Sequence, residues 1–300
     1  MEWVREDKLK IIQVLQEPTF YMDGGLKKIL NTIAYNVPND WDSVILISGD
    51  GMVRVGKSVL AQQVGQTLAY KLKTSWGIEN IVFTGQELIE KAKTFPKNSV
   101  FVYDEARGEL DTKKVMEEIT KTLMDFFSEC GMYNHVIIIV LPDFFDLPKG
   151  IAISRSELLL NVYRDRSIKK NEYGEEVIKF ERGFFDGYHR YSKKKLYIIG
   201  KKNFNDYGSV KREFFGHFTD TFTVDKNQYE TKKKSYLARD RNKDDKDFKL
   251  NAALVVLSKH LSALQIEKEL KEVGFKISND TILRHISKFT RELTNNSQLT

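Results

Sequence analysis

The sequence contains few of the residues that build disulfides or metal sites. Its 300 residues include one cysteine, Cys130, and five histidines. A single cysteine cannot form an internal disulfide, and the scattered histidines do not make a ligand cluster. Neither a disulfide-built fold nor a structural zinc site is therefore expected.

Long apolar stretches are also missing. No window approaches eighteen consecutive apolar residues, the length that a transmembrane helix needs. The N-terminus mixes acidic and basic residues from Glu2 to Lys8 and lacks the apolar core of a signal peptide. No repeat with a period of 20–50 residues is visible, which argues against a solenoid. We expect a soluble, cytoplasmic protein without a membrane segment.

The chain does contain enough apolar residues for a core, and its charge is unevenly distributed. Hydrophobic residues make up 41% of the chain, so wholesale disorder is excluded. The net charge is +6, and residues 226–300 carry 16 Lys and Arg against 10 Asp and Glu, which leaves 32 of each sign for residues 1–225. A basic excess confined to one end indicates an anionic partner, nucleic acid first among them, or else a solvated lysine-rich tail.

Short apolar runs that alternate with helical patterns predict an α/β fold. The five apolar runs are Val44–Ile47, Ile81–Phe83, Val100–Tyr103, Val136–Leu141 and Leu158–Tyr163. Strands that are apolar throughout are buried on both faces, as in a parallel sheet that helices cover. We therefore predict a mainly parallel sheet covered by helices, followed by a small all-α domain.

Composition also suggests domain boundaries. We predict a first domain over residues 1–225, with a helical segment at 1–40 and a strand-rich basic extension at 173–203. The antiparallel strands predicted in that extension are Val177–Phe180, Phe184–Tyr191 and Lys195–Gly200. Residues 226–248 are almost wholly polar and predict a charged linker or an exposed charged helix. Apolar periodicity returns within residues 249–300, which form the predicted second domain.

The segment Gly51–Ser58 fits the pattern G-x-x-x-x-G-K-[ST], a P-loop, and lies between an apolar run and a predicted helix. In such a loop, glycines let successive amide groups point at phosphate oxygens, and the helix N-terminus favours an anion. Lys57 would contact the β- and γ-phosphates, and Ser58 would bind Mg²⁺. The predicted nucleotide-binding residues are Gly51, Arg54, Val55, Gly56, Lys57, Ser58 and Val59.

A pair of carboxylates, Asp104 and Glu105, follows the third apolar run directly. Asp104 would hold Mg²⁺ through water, as a Walker B aspartate does. Glu105 would orient and polarise the attacking water, because phosphoryl transfer depends mostly on positioning and electrostatics. No guanine-reading Asn/Thr-Lys-x-Asp motif is evident, which favours ATP over GTP. We therefore predict an ATP- and Mg²⁺-dependent hydrolase.

These motifs resemble the additional-strand, catalytic-glutamate division of P-loop ATPases over about residues 40–165. The apolar run Val136–Leu141, with Pro142–Leu147 and Arg155 after it, further resembles FtsK/HerA-type translocases and Zot-like phage ATPases. The resemblance implies a DNA-pumping motor, commonly a hexameric ring, of phage, viral, plasmid or conjugative type. Such motors often place a polar sensor, frequently Gln, where this chain has Leu141-Pro142-Asp143, so Asp143 is the candidate sensor here.

The same resemblance implies that an arginine from one subunit completes the site of its neighbour. A guanidinium supplied in this way neutralises charge on the transferring phosphoryl group. Arg155 is the first candidate, followed by Arg182 and then Arg164. The alternative for each is a surface arginine or a structural ion pair.

Two regions are predicted to contact DNA, and the first is the strand-rich basic extension. Its basic residues interleave with aromatic ones, and Lys193, Lys194 and Lys195 are predicted to form a turn that contacts phosphates. The alternative is a hairpin whose aromatic residues pack on the core and whose lysines are solvated.

The second region is the C-terminal domain, whose pattern resembles a helix-turn-helix. Ser262 and Ser278 are suitable helix caps and Gly274 a suitable helix end, so three helices are predicted at Leu250–Leu261, Ala263–Val273 and Asn279–Phe289. In that fold the third helix enters the major groove. The residues placed to reach DNA are Asn279, Thr281, Arg284, His285 and Lys288. A protein-docking module of three helices is the open alternative.

The sequence therefore predicts an ATP-hydrolysing DNA motor, a translocase or a genome-packaging ATPase, that acts as a homo-oligomer. One alternative is a helicase loader or transposition helper that uses nucleotide binding as an assembly switch. Another is a DNA-binding regulator whose P-loop senses nucleotide. Glu105 argues against the regulator, because a pure sensor has little need of a positioned base.

Overall fold

The computed structural model describes residues 17–49, 51, 54–106, 110, 118–259, 261–272 and 277–296. The chain divides into two compact units, Met1–Tyr229 and Glu230–Thr300. The boundary falls inside a helix, Lys226–Leu257, which includes the whole stretch predicted as a charged linker at 226–248. Of the two alternatives for that stretch, the structure has the helix.

The first unit is built on one seven-stranded sheet. Its strands, in chain order, are β1 (Ser43–Gly49), β2 (Ile81–Val82), β3 (Val100–Tyr103), β4 (Val136–Asp143), β5 (Leu158–Lys170), β6 (Glu176–His189) and β7 (Phe214–His217). The spatial order is β2-β3-β4-β1-β5-β6-β7. The first five in that order pair in parallel, whereas β6 and β7 pair antiparallel to their neighbours. The prediction of an α/β fold with a mostly parallel sheet is confirmed.

Burial explains why the central strands could be recognised in the sequence. Every residue of β1 is buried, and so are the first six residues of β4, because helices cover both faces of a parallel sheet. Such strands carry apolar residues on both faces and give continuous apolar runs. All five predicted runs correspond to strands β1 to β5.

Within the described residues, the α-helices of the first unit before residue 226 are α1 (Gly24–Asn36), α2 (Lys57–Leu72), α3 (Gly85–Thr94), α4 (Glu118–Glu129) and α5 (Arg190–Lys202). Side chains cap two of these helices, since Asp23 accepts from the amides of α1 and Thr84 from an amide of α3. Helix α1 lies within the segment predicted to be helical and buries Leu26, Leu30 and Ile33. Residues 1–16 of the predicted helical segment lie outside the described residues.

Helix α5 replaces a predicted antiparallel strand over residues 195–200. Its inward positions follow the helical period and include Lys193, Leu196, Tyr197 and Gly200. Lysine and glycine at two of those positions interrupt the apolar stripe by which a helix is normally recognised. The prediction of a strand was therefore wrong, and so was the prediction of a turn at residues 193–195.

The second unit contains the greater part of α6 (Lys226–Leu257), with α7 (Ala263–Glu272) and α8 (Asn279–Asn296). Leu254, Ile266 and Ile282, one from each helix, form its buried core. The Ser262 hydroxyl accepts from the Gln265 amide, and the Gln265 side chain accepts from the Ser262 amide, which makes a capping box at the start of α7. Gly274, the predicted end of the second helix, lies outside the described residues.

Within the described part of the chain, no helix has the length and apolar character needed to cross a membrane.

Candidate nucleotide site

The carboxyl ends of β1, β3 and β4 meet at one edge of the sheet. Strand β4 lies between the other two and pairs in parallel with both, so that Gly49 at the end of β1 is opposite Asp143 at the end of β4. The Gly51–Ser58 loop follows β1, and Asp104 follows β3. The fold therefore brings the two predicted motifs to the same edge, although they are far apart in sequence.

The loop after β1 adopts backbone conformations that glycine favours. Gly51 and Gly56 have φ angles of 78° and 105°, and Arg54 between them has a φ of 60°. Gly56 is the N-cap of α2, and its carbonyl accepts from the amides of Val59 and Leu60 at 3.0 Å each. A glycine N-cap has no side-chain acceptor for the first amides of the helix, which is a setting that suits a bound anion.

The side chains of this loop divide by burial. The Lys57 side chain folds over the end of β1, where a Cβ added to Gly49 would lie 3.3 Å from Nζ. Lys57 and Ser58 are half-buried, and Arg54 is exposed. Val55 and Val59 are 1% and 6% exposed. These two valines anchor the loop in the core, so a ligand at the loop would meet their backbone.

Asp104 is buried at the end of β3, with 1% of its surface exposed. Its Oδ1 accepts from the Glu105 amide at 3.0 Å, and its Oδ2 accepts from the Tyr229 hydroxyl at 2.5 Å. The backbone of Asp104 donates to the Val82 carbonyl of β2 at 2.9 Å. The adjacent Glu105 amide and the distant Tyr229 thus orient the carboxylate, while β2 holds the backbone of Asp104.

Glu105 has a left-handed backbone, with a φ of 59°. This conformation costs a residue with a side chain about 1–2 kcal/mol. The turn is held on both sides, by the Asp104 carboxylate on the Glu105 amide and by the Ala106 amide, which donates to the Val140 carbonyl of β4 at 3.1 Å. Non-glycine residues in such conformations cluster at functional sites. Glu105 lies two residues after the end of β3, and its side chain is half-buried.

Tyr207 also lies at this edge, and no sequence motif predicts it there. Its hydroxyl lies 2.9 Å from the Gly49 carbonyl and 3.0 Å from Asp143 Oδ1, and it accepts from the Phe144 amide at 2.8 Å. Burial, and next the nearby Asp143 carboxylate, raise the pKa of Tyr207 well above its usual range. The phenol thus joins the ends of β1 and β4. Asp143, the predicted sensor, also accepts from the Asn205 side chain at 3.0 Å.

The three arginine candidates lie at different places. Arg155 forms an ion pair with Asp42, which directly precedes β1, and therefore lies at the amino edge of the sheet, opposite the loop. Arg164 lies on β5 beyond its last pairing with β1, with its guanidinium carbon 5.3 Å from the Phe180 ring centroid. Arg182 is an exposed residue of β6. Within one chain, Arg155 is thus remote from the candidate site.

The predicted phosphate-contacting lysines of α5 separate into one buried and two exposed residues. Lys193 is fully buried and donates to the Ala152 carbonyl and, at 2.7 Å, to the Ser156 hydroxyl. It is not accessible to DNA, so that part of the prediction is corrected. Lys194 and Lys195 are exposed, and the Lys195 ammonium lies 4.6 Å from the Tyr191 ring centroid.

The predicted DNA-contacting residues of the second unit all lie on α8. Asn279 and Thr281 take part in the start of the helix, where the Asn279 amide donates to Glu267 Oε2 at 3.0 Å and the Thr281 hydroxyl lies 2.9 Å from that of Ser278. Arg284 is exposed and His285 is half-buried. Lys288 belongs to the same helix.

The chain matches no known protein family, and no curated protein matches it either.

Proposed function

We propose that the chain binds ATP with Mg²⁺ at the carboxyl edge of β1, β3 and β4 and hydrolyses it to move or remodel DNA. The observation that supports this proposal most directly is the convergence of the Gly51–Ser58 loop and the Asp104-Glu105 pair on that edge, with β4 between them. Ligands of open α/β sheets bind outside the carboxyl ends of the strands. An extra strand between the two motifs also agrees with the division of ATPases that the sequence resembles.

The residues at this edge fit a magnesium nucleotide. Mg²⁺ usually takes one or two protein oxygens together with phosphate oxygens and water, so Ser58 would offer a ligand oxygen and Asp104 would hold the ion through a bound water. When bound, the ion would neutralise charge on the phosphates. The Lys57 ammonium, at the end of β1, would add a positive charge there, and the amides at the start of α2 would donate to phosphate oxygens. Glu105 would orient the attacking water and accept its proton.

A role on DNA is supported by exposed basic residues in both units. Helix α5 contains six Lys and Arg and no Asp or Glu, and its exposed residues include Lys194 and Lys195. In the second unit, Arg284 is exposed on α8. Exposed basic residues bind the phosphate backbone and make affinity depend steeply on salt. A homo-oligomer, such as a ring in which Arg155, Arg164 or Arg182 reaches a neighbour, belongs to the same proposal.

The proposal is tested by steady-state ATP hydrolysis of the full chain with and without long duplex DNA. We expect DNA to stimulate hydrolysis several-fold in the wild type and Glu105→Gln to abolish the activity while nucleotide binding persists. Arg284→Glu should lower the stimulation but leave hydrolysis without DNA unchanged. Tight nucleotide binding with slow hydrolysis that DNA does not change would favour the nucleotide-switched loader or regulator. Failure to bind nucleotide at all would refute the proposal.

A further inference from the structure

A tyrosine from a distant part of the chain contacts the carboxylate at the end of β3. Tyr229 lies 125 residues after Asp104 and donates its hydroxyl to Asp104 Oδ2 at 2.5 Å. Both side chains are buried, with 1% of Asp104 and 5% of Tyr229 exposed. No sequence motif marks this tyrosine, yet it contacts the residue that we assign to the metal.

Packing on two sides fixes the ring of Tyr229. Its centroid lies 5.9 Å from that of Phe83, next to β2, and 5.7 Å from that of Phe222. Tyr229 belongs to the first turn of α6, where its amide donates to the Asp225 carbonyl at 3.0 Å and the Asp225 carboxylate accepts from the Gln228 amide at 2.7 Å. The hydroxyl is therefore held in place by the helix start and by two aromatic neighbours.

Residues 218–229, which lead to Tyr229, pack along α2, the helix that begins at the nucleotide loop. At the start of this segment, a Cβ added to Gly56 would lie 3.0 Å from the Phe218 ring. The Gln63 side chain then donates to the carbonyls of Thr219 at 2.7 Å and Thr221 at 3.0 Å. One continuous segment thus contacts both motifs of the candidate site, the loop at its start and Asp104 at its end.

We propose that Tyr229 is a positioning residue for Mg²⁺ binding, and that it acts by fixing the orientation of the Asp104 carboxylate. This inference rests on the proposed function, because it needs a metal at Asp104. The Glu105 amide donates to Oδ1 of this carboxylate, and the Tyr229 hydroxyl donates to Oδ2. Hydrogen bonds to a carboxylate at a metal site orient it, and their loss typically lowers metal affinity roughly 10- to 100-fold.

The Tyr229→Phe variant removes the hydroxyl and keeps the ring contacts with Phe83 and Phe222. The matched control is Tyr197→Phe, because Tyr197 is also buried and its hydroxyl donates to the Leu147 carbonyl at 2.7 Å, away from Asp104. The probe is a fluorescent ATP analogue, bound by the full chain at a fixed concentration while Mg²⁺ is titrated. Binding with EDTA present measures the part of the affinity that does not depend on the metal.

We expect Tyr229→Phe to raise the Mg²⁺ concentration at half-maximal binding roughly tenfold or more. Affinity in EDTA should not change, and Tyr197→Phe should match the wild type in both measurements. A Tyr229→Phe titration that overlays the wild type overturns the inference and leaves the proposed function intact. A wild type that binds no nucleotide in either condition overturns both.

Thermal melting shows whether Tyr229→Phe remains folded at the assay temperature. If it does not, Phe222→Leu tests the same contact, because it loosens the packing of the Tyr229 ring and leaves the hydroxyl in place. The Mg²⁺ midpoint should then move in the same direction by a smaller factor. An unchanged midpoint in a folded Phe222→Leu protein also counts against the inference.

Discussion

Two buried polar clusters of the first unit have opposite chemical consequences. At the carboxyl edge, Asp104 accepts hydrogen bonds from the Glu105 amide and the Tyr229 hydroxyl. Beneath α5, Lys193 donates to two neutral oxygens, the Ala152 carbonyl and the Ser156 hydroxyl. Burial, and then the nearby Arg190, lower the pKa of Lys193 to about 7. The first cluster orients a charged group at a sheet edge, and the second encloses a group that burial makes easier to neutralise.

The comparison separates two uses of a buried polar group. A carboxylate that donors orient at the end of a strand can serve a ligand, whereas a lysine enclosed beneath a helix can only serve the fold. Substitutions at the carboxyl edge should therefore change activity and spare stability. Substitutions at the Lys193 cluster should do the reverse.

The largest effect is expected from Lys57→Met. Removal of the ammonium takes away a charge that stabilises the transferring phosphoryl group, so turnover should fall about 100-fold or more. The melting temperature should change little, because Lys57 is only half-buried. Lys193→Met is the matched control and should retain turnover, as measured by phosphate release. An equal loss of turnover in the two variants would contradict the separation of a functional cluster from a structural one.

The Lys193 cluster should make stability depend on pH. The folded state binds the Lys193 proton more weakly than the unfolded state, whose lysine has an ordinary pKa of 10.5. Between pH 7 and 10.5 the unfolded state therefore holds more protons, and the free energy of unfolding should rise with pH, by about 5 kcal/mol at most. Urea unfolding at several pH values measures this slope. Lys193→Met should flatten it, and identical slopes in the two proteins would exclude the effect.

The strands and the nucleotide loop were predictable because each is encoded locally. Parallel strands are buried on both faces, so β1 and β4 appear as apolar runs without knowledge of their neighbours. The Gly51–Ser58 loop is contiguous, and its glycines occupy the left-handed conformations that the motif requires. The adjacency of this loop and Asp104 then follows from the parallel order of the strands.

The contacts that complete the edge could not be predicted, because they depend on how distant segments pack. Tyr207 and Tyr229 carry no motif, and each reaches its carboxylate only through the tertiary fold. Helix α5 was missed for a different reason. Its buried face contains Lys193 and Gly200 in place of apolar residues. The apolar residues of the segment therefore do not recur with the period of a helix.

Arg155 tests whether an ion pair serves the fold or a nucleotide site. Its pair with Asp42 lies at the amino edge and is partly buried, so Arg155→Ala should lower the free energy of unfolding by about 1–3 kcal/mol. Turnover per folded molecule should be retained if the arginine is structural. A fall of several orders of magnitude in turnover, with an unchanged melting temperature, would instead support the predicted role in a neighbouring site. Arg182→Ala, at an exposed position of β6, is the comparison variant.

The smallest effect is expected from the two exposed lysines that follow the buried Lys193 in the chain. Lys194 and Lys195 are exposed, so replacing both with Gln should leave the melting temperature unchanged and weaken duplex DNA binding. Each lost phosphate contact should lower the slope of log affinity against log salt by about 1. Fluorescence anisotropy with labelled DNA at several salt concentrations measures the slope. Lys193→Met should leave it unchanged, because a fully buried ammonium makes no phosphate contact. A slope that changes in Lys193→Met but not in the double variant would mean that the buried and exposed lysines have exchanged roles, and the comparison between the two clusters would fail.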